Sequence, residues 1–103
     1  MTTQKSVLKL YIMGDTPKAA RAIANMRRIC KEDLDSKYEL VVINILDNPQ
    51  LAEDDKILAA PTLIKVLPAP LRRVIGDLSD KEKVLLGLDL ITVSPTEDET
   101  GGD

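Results

Sequence analysis

Residues 48–90, NPQLAEDDKILAAPTLIKVLPAPLRRVIGDLSDKEKVLLGLDL, decide the fold of this chain because their local signals conflict. Near the end of this stretch, Leu86, Leu88 and Leu90 alternate with Gly87 and Asp89, which is the period of a half-buried strand. The residues just before them predict a helix that would run through the same positions. In most domains local pattern and global fold agree, so this conflict indicates strain, function or two competing packings.

The stretch still predicts an ordered set of elements. After a turn at 47–49, the residues QLAEDDKIL predict a short helix whose apolar side chains, Leu51, Ile57 and Leu58, face inward. Two strands are predicted at 62–67 and 71–75, on either side of the Pro-Ala-Pro break at 68–70. Because neither strand has a clean period, short helices separated by the prolines are an alternative.

A final helix is predicted from residue 80 to about residue 91. Ser79, with Glu82 three residues on, forms a capping box at its start, after a turn at 76–77. Gly87 would lie in the middle of this helix, at a cost of about 1 kcal/mol relative to alanine. Asp89 would place a negative charge near the helix C-terminus, where the macrodipole disfavours it.

Residues 7–46 contain no such conflict. The apolar segment 7–13 predicts a buried strand, and Thr16 and Pro17 predict the start of a helix of about four to five turns. A second strand is predicted at 38–46, which completes a β-α-β unit. The apolar stripe of the helix is expected to comprise Ile23, Met26, Cys30 and Leu34. The whole chain therefore predicts an α/β protein of order βαβαββα, the order of a thioredoxin-like fold.

Length and composition predict one small domain, residues 1–91, followed by an acidic, disordered tail at 92–103. No apolar run approaches the roughly 20 residues of a membrane span, and the first residues lack the core of a signal peptide, so a cytoplasmic location is expected. The last seven residues carry four acids, which leaves 13 acids and 14 bases in the rest of the chain. A near-neutral body with two tyrosines and no other aromatic residue makes nucleic acid an unsuitable partner.

Residue types also restrict the chemistry. The chain has one cysteine and no histidine, which excludes Ser-His-Asp and Cys-His catalysis and thiolate zinc clusters. The turn MGDTP at 13–17 occupies the place of the redox pair of thioredoxins but holds no cysteine. Cys30 is expected to be a buried packing thiol, and the adjacent acids at 53–55 are expected to form a solvated face rather than a metal site. No catalytic residue, metal or cofactor is predicted.

The chain resembles the KaiB family of circadian-clock proteins from residue 8 to about residue 90, with KVLP and IGDLSDKEKV as specific motifs. The resemblance implies a non-enzymatic regulatory protein with two folds, a tetrameric or dimeric ground state and a rare thioredoxin-like monomer. It implies that residues 47–91 refold between them while the β-α-β half persists, with GLDL strand-like in the ground state. It further implies that the thioredoxin-like form binds the N-terminal ATPase ring of a KaiC-type kinase, sequesters KaiA and competes with the kinase SasA.

The resemblance also assigns roles to particular residues. Partner-binding positions are implied at Arg21, Lys65 and Arg72, for which ordinary solvated side chains are the alternative. Control of the fold switch is implied for Pro61, Gly87 and Asp89, and replacement of Gly87 by Ala together with Asp89 by Arg is expected to favour the thioredoxin-like monomer. Ala60-Pro61 resembles the cis-proline loop of thioredoxin-like proteins, so a cis bond at Pro61 is expected in that form.

Several positions depart from the family pattern, among them Asp15 in the 13–17 turn and Asp47. These departures weaken the expectation of KaiA binding and of circadian timing more than the expectation of KaiC binding. They are consistent with a divergent paralogue or with a homologue that acts in stress adaptation or simple timing. Two other classes of function are considered. One is a stand-alone thioredoxin-like module, similar to the sensor domain of SasA, without fold switching; the other is a thiol enzyme, which requires an exposed and activated Cys30.

Overall fold

The computed structural model describes residues 6–34, 37–67, 71–76 and 78–90. The predicted order βαβαββα is confirmed. Within the described residues, no helix has the length and apolar character needed to cross a membrane. The elements are β1 (Ser6–Ile12), α1 (Pro17–Glu32), β2 (Tyr38–Asn44), α2 (Pro49–Asp54), β3 (Thr62–Leu67), β4 (Arg72–Ile75) and α3 (Lys81–Gly87).

The four strands form one mixed sheet in the order β2-β1-β3-β4. β1 pairs with β2 in parallel, and the crossover between them is α1. β3 pairs antiparallel to both β1 and β4, so Lys65 lies between Leu8 on one side and Arg72 on the other. Because β2 and β4 are the outer strands, each has one unpaired backbone edge within this sheet.

Side chains alternate between two faces of the sheet, and each face has its own core. The larger core joins Leu8, Leu10 and Leu63 of the sheet to the buried sides of α1 and α3. The smaller core joins Tyr11, Ile43 and Ile64 to Ala52 of α2. The chain therefore folds as three layers, with α1 and α3 on one side of the sheet and α2 on the other.

Helix α1 forms as the sequence predicts. The Thr16 hydroxyl accepts a hydrogen bond from the Ala19 amide at 3.0 Å, and Pro17 is the first helical residue. Two of the four predicted stripe residues, Met26 and Cys30, are buried, and the other two, Ile23 and Leu34, are partly buried against the same core. The sequence analysis omitted the other buried residues of this helix, which are Ala19, Ala22 and Ile29.

Helix α2 differs from the prediction in which side chains it buries. It has only six residues and ends at Asp54, and Lys56 then turns the chain with a φ of 55°. Leu58, which follows this turn, is 95% exposed, and Leu51 is 42% exposed because Ala52 is the buried residue of the helix. Ile57 packs partly against the smaller core. The prediction failed because it extended one helical period across a turn.

Helix α3 also differs, at both of its ends. Asp80, not Ser79, is the N-cap, and its carboxylate accepts a hydrogen bond from the Lys83 amide at 3.2 Å. The helix ends at Gly87 instead of near residue 91, so this glycine is terminal rather than central. The predicted tail at 92–103, the break at 68–70 and residue 77 of the predicted turn lie outside the described residues.

Candidate protein-binding site

The turn between β1 and α1 has a defined geometry but holds no thiol. Gly14 adopts a φ of 76°, and its amide donates to the Asn44 side-chain oxygen at 3.1 Å. The same oxygen accepts from the Leu46 amide at 3.0 Å, so Asn44 holds the loop after β1 against the loop after β2. Sequence reasoning missed this role of Asn44, because the β2 strand was extended through it to residue 46.

Cys30 lies far from this turn, at the other end of α1. Its side chain is buried in the larger core, and burial raises the pKa of its thiol. A thiol in this environment is a poor nucleophile at neutral pH, because the reactive species is the thiolate. The structure therefore contradicts the thiol-enzyme hypothesis, which requires Cys30 to be exposed and activated.

A second loop meets the first at the same end of the sheet. The Ala60–Pro61 peptide bond is cis, as expected for the thioredoxin-like form. The Pro61 carbonyl accepts from the Gly76 amide at 3.0 Å, and the Thr62 hydroxyl donates to the Ala59 carbonyl at 2.6 Å. The first bond ties the loop before β3 to the residue after β4, and the second closes the loop itself.

Exposed apolar side chains surround these loops. They belong to Met13, Leu46, Leu58 and Ile75, and between 53% and 95% of each residue is exposed. A Cβ added to Gly14 would lie 3.3 Å from Leu46, so the loop after β1 lies close to the loop after β2. The loop end of the sheet therefore presents apolar surface to solvent, which is typical of a protein-binding surface.

The three basic residues implied as partner contacts do not form one cluster. Arg21 is exposed in the second turn of α1, which begins where β1 ends. Lys65 and Arg72 are cross-strand neighbours in register with Leu8, near the start of β1. Lys65 and Arg72 thus form a pair, and Arg21 lies towards the opposite end of the sheet.

Lys65 is not a surface side chain in this fold. It is 2% exposed, whereas Arg72 beside it is exposed. Alternation along β3 places Lys65 on the face of Leu63, under the α1 and α3 layer. No residue in the described part of the chain makes a hydrogen bond or ion pair with its ammonium group. A contact between Lys65 and a partner would therefore require this side chain to become accessible.

Of the three residues implied in control of the fold switch, Pro61 lies in the loop before β3, and Gly87 and Asp89 lie at the end of α3. A Cβ at Gly87 would lie 2.6 Å from Cγ2 of Val74, so glycine permits close approach of α3 to β4. Asp89 has a φ of 63°. Its amide donates to the Leu86 carbonyl and the Leu90 amide to the Leu85 carbonyl, which is the Schellman pattern with Asp89 where glycine is usual.

A polar network on the opposite face escaped the sequence analysis. The Tyr11 hydroxyl donates a short hydrogen bond to the Asp55 carboxylate, and the Lys9 ammonium lies 3.3 Å from the same carboxylate oxygen. The Tyr11 bond lowers the pKa of Asp55, helped by Lys9, and burial raises the pKa of Tyr11. Asp55 is thus a structural anion joining α2 to β1, and in the described ranges no group of three acidic or thiol ligands could hold a metal ion.

These features define a class: a thioredoxin-like domain whose redox position is free of thiols and bordered by exposed apolar side chains. Residues 9–90 match the KaiB domain family. The chain is 56% identical over 97 residues to a circadian clock oscillator protein KaiB of Prochlorococcus marinus strain MIT 9312, covering 94% of this chain and 92% of that protein. It is 60% identical over 85 residues to the KaiB of Microcystis aeruginosa, covering 82% of each. The chain belongs to the KaiB family.

Solved structures agree on the fold. The N-terminal domain of Synechococcus elongatus SasA superposes with a TM-score of 0.71 at 23% identity, covering 91% of this chain and 92% of that one. Mitochondrial thioredoxin 3 of Saccharomyces cerevisiae superposes with a TM-score of 0.68 at 11% identity, covering 84% of this chain and 79% of that one. The described structure is therefore the thioredoxin-like form, one of the two folds that the sequence analysis anticipated.

Proposed function

We propose that this protein is a non-enzymatic regulator that binds the N-terminal ATPase ring of a KaiC-type kinase in its thioredoxin-like form. Membership of the KaiB family is the observation that carries this proposal. The chemistry of the domain is consistent with it, because the redox position lacks a thiol and Cys30 is buried. Binding would control the phosphorylation cycle of the kinase and would exclude a SasA-like kinase or sequester a KaiA-like regulator.

Arg21 and Arg72 are the proposed partner contacts at the surface. Both are exposed, and a guanidinium group can bind a carboxylate through two parallel hydrogen bonds. Lys65 is proposed to act with Arg72, as its cross-strand neighbour, after local opening of the layer above it.

A slow change of fold is proposed to precede binding. Residues 47–91 would adopt this structure from a ground state in which GLDL is a strand and the chain assembles as a tetramer or dimer. The distribution of backbone strain supports this. The left-handed non-glycine residues of the described structure, Lys56, Leu78 and Asp89, all lie in the second half, and each costs about 1–2 kcal/mol relative to glycine.

The binding proposal is tested by mixing the protein with a KaiC-type ATPase and ATP and measuring co-migration by gel filtration. Arg21→Ala and Arg72→Ala are each expected to weaken binding by about tenfold, which corresponds to the loss of a charged hydrogen bond. Arg27→Ala is the matched control, because Arg27 is also exposed on α1 but is not a proposed contact. Equal binding by all three variants, or no complex with the native protein, would contradict the proposal.

The fold-switch proposal has a separate test. Solution NMR of the native chain at low and high concentration should give two sets of signals for residues 47–91 in slow exchange and one set for most of the β-α-β half. Light scattering should show the second set growing with the oligomer. A single thioredoxin-like set at every concentration would instead favour a second candidate, a stand-alone interaction module without fold switching. The similarity of this structure to the SasA domain favours that candidate only at the level of fold.

A further inference from the structure

The outer edge of β4 presents backbone groups that no described residue uses. Strand β4 ends the sheet, and its inner edge pairs with β3. The Gly76 amide donates to the Pro61 carbonyl in the same register, and hydrogen-bonded pairs alternate with non-hydrogen-bonded pairs along antiparallel strands. The amides and carbonyls of Arg73 and Ile75 therefore point away from β3. Among the described residues, none makes a backbone hydrogen bond with these four groups.

Exposed side chains lie on both faces of this edge. Arg73 and Ile75 lie on the α2 face of β4 and Arg72 on the α3 face, and all three are exposed. The Arg73 guanidinium donates to the Lys56 carbonyl at 3.2 Å, which leaves its other N–H groups available. Arg72 has no carboxylate within ion-pair distance in the part of the chain that the structure describes. The edge therefore combines an exposed apolar side chain with two cations.

A cavity lies beside the same strand, on its α3 side. It has a volume of about 200 Å³ and lies between the end of β4 and the start of α3. Its lining includes the apolar residues Val74, Leu78 and Val84, and also Lys83 and the capping residue Asp80. A cavity of about 150 Å³ can hold benzene, so this one has room for one aliphatic side chain.

These features specify the sequence of a strand that would fit this edge. Residues directly opposite each other on antiparallel strands share a face and interact. The residues opposite Ile75 and Val74 would meet an apolar side chain and the cavity, whereas those opposite Arg73 and Arg72 would meet cations. Read from its N-terminus, the incoming strand would have two apolar residues followed by two acidic residues. Charged side chains on an edge disfavour its pairing with a second copy of the same edge.

We propose that the outer edge of β4 binds an extended acidic segment of a partner protein, which adds to the sheet as a fifth, antiparallel strand. Main-chain hydrogen bonds to Arg73 and Ile75 provide affinity, and the arginines and the cavity select the two acidic and two apolar side chains. This inference goes beyond the proposed function, because it does not require the partner to be a KaiC-type ATPase.

The test uses the full-length chain and the synthetic peptide acetyl-Ser-Ile-Leu-Glu-Glu-Ser-amide. Hydrogen exchange is followed by NMR on the signals of the thioredoxin-like form. The amides of Arg73 and Ile75 should exchange rapidly in the free chain, and saturating peptide should slow both by about tenfold or more. A peptide with two lysines in place of the two glutamates should bind about tenfold more weakly.

Two N-methylated peptides distinguish strand addition from a contact between side chains alone. Methyl groups on the amides of the isoleucine and the first glutamate remove the donors that face β4, and this peptide is expected to bind about tenfold more weakly. Methyl groups on the amides of the leucine and the second glutamate face away from β4, so that peptide should bind like the unmethylated one. Equal binding by the two methylated peptides would overturn strand addition.

A substitution in the chain provides an independent measurement. Ile75→Pro removes one outward amide and keeps the inner pairing, because proline is tolerated where the N–H of an edge strand faces solvent. It should weaken peptide binding by about tenfold, whereas Ile75→Val should bind like the native chain. Unchanged exchange at Arg73 and Ile75 with peptide would overturn the proposal. Slow exchange of both amides in the free chain would show that the edge is already covered and would overturn it too, as would exchange that depends on protein concentration, which indicates a second copy.

Discussion

The two halves of this domain differ in how their local sequence relates to their fold. In residues 6–44, a 16-residue helix with a Thr16 cap connects two parallel strands of seven residues each. In residues 49–90, the helices have six and seven residues and β4 has four. Helices this short are not stable alone, because isolated helices need about 12–15 residues even in favourable sequences. The second half is therefore held by its pairing with β1 and by a few buried side chains.

This difference shows where a second packing could arise. The β-α-β half forms its β1–β2 pairing and its Thr16 helix cap from its own residues, and the second half adds the pairing of β3 to the other edge of β1. The second half depends on contacts made late in the chain, such as the burial of Leu88 and the approach of Gly87 to Val74.

Removal of the Leu88 side chain should have the largest effect. Leu88 is fully buried in the larger core, so Leu88→Ala is expected to destabilise this fold by about 2–5 kcal/mol. Leu86→Ala is the control, because Leu86 is 44% exposed on the same helix and should cost less than about 1 kcal/mol. Urea unfolding followed by circular dichroism measures both. Equal losses would show that the GLDL segment does not pack as described.

Substitution at Gly87, which contacts Val74, should have the next largest effect on the stability of this fold. Alanine at Gly87 gains about 1 kcal/mol of helix propensity, but its Cβ would overlap Val74, and overpacking typically costs about 1–3 kcal/mol. Gly87→Ala alone is therefore expected to destabilise the thioredoxin-like form slightly. In a Val74→Ala background the same change should become stabilising.

A double-mutant cycle of unfolding free energies separates the two contributions at Gly87. A coupling of more than about 1 kcal/mol between Gly87→Ala and Val74→Ala is expected, since the added methyl group touches the removed one. Additive free energies would mean that the helix moves away from β4 without cost. In that case helix propensity alone would govern the effect of Gly87, as its sequence position first suggested.

The sequence predicted most of the fold because much of it depends on local patterns. The order of elements, the Thr16 cap and the bounds of β3 all follow from short-range signals that the structure retains. The exposed Leu51 and Leu58 could not be predicted in the same way, because the turn at Lys56 interrupts the helical period. The early end of α3 likewise depends on the left-handed conformation of Asp89, which aspartate adopts more readily than most non-glycine residues but which glycine more commonly provides.

The candidate site was less predictable, because its residues come together only through the sheet. The pairing of Lys65 with Arg72 follows from the register of β3 and β4, and the burial of Lys65 follows from the helices above it. Family resemblance singled out both residues but carried no information on their exposure. The Tyr11–Asp55 contact joins residues 44 positions apart, and no local pattern marks it.

Substitution of Asp89 should change the stability of this fold by less than the substitutions at Leu88 and Gly87. Unlike them, it should stabilise the fold. Asp89→Gly is expected to stabilise this fold by about 1 kcal/mol, because glycine adopts the left-handed conformation without steric cost. Asp89→Asn should gain less, and Asp89→Arg should gain only the few tenths of a kcal/mol that follow from removing a negative charge near the helix C-terminus. Thermal unfolding of the three variants would show this order. A larger gain for Arg than for Gly would mean that charge at this position affects stability more than backbone conformation does.

The smallest expected effect concerns the pH dependence of the link between α2 and β1. The hydrogen bond from Tyr11, helped by Lys9, lowers the pKa of Asp55 in the folded state. Its contribution to stability is therefore fully present above the ordinary aspartate pKa of about 4 and is lost as pH falls through the lower, folded-state value. Unfolding free energies measured between about pH 6 and pH 2.5 should fall more steeply for the native chain than for Asp55→Asn. Asp54→Asn, which removes a surface carboxylate bonded to Gln50, is the control and should follow the native curve. If Asp55→Asn also follows it, the Tyr11–Asp55 contact does not contribute to holding the second half of the domain on the first.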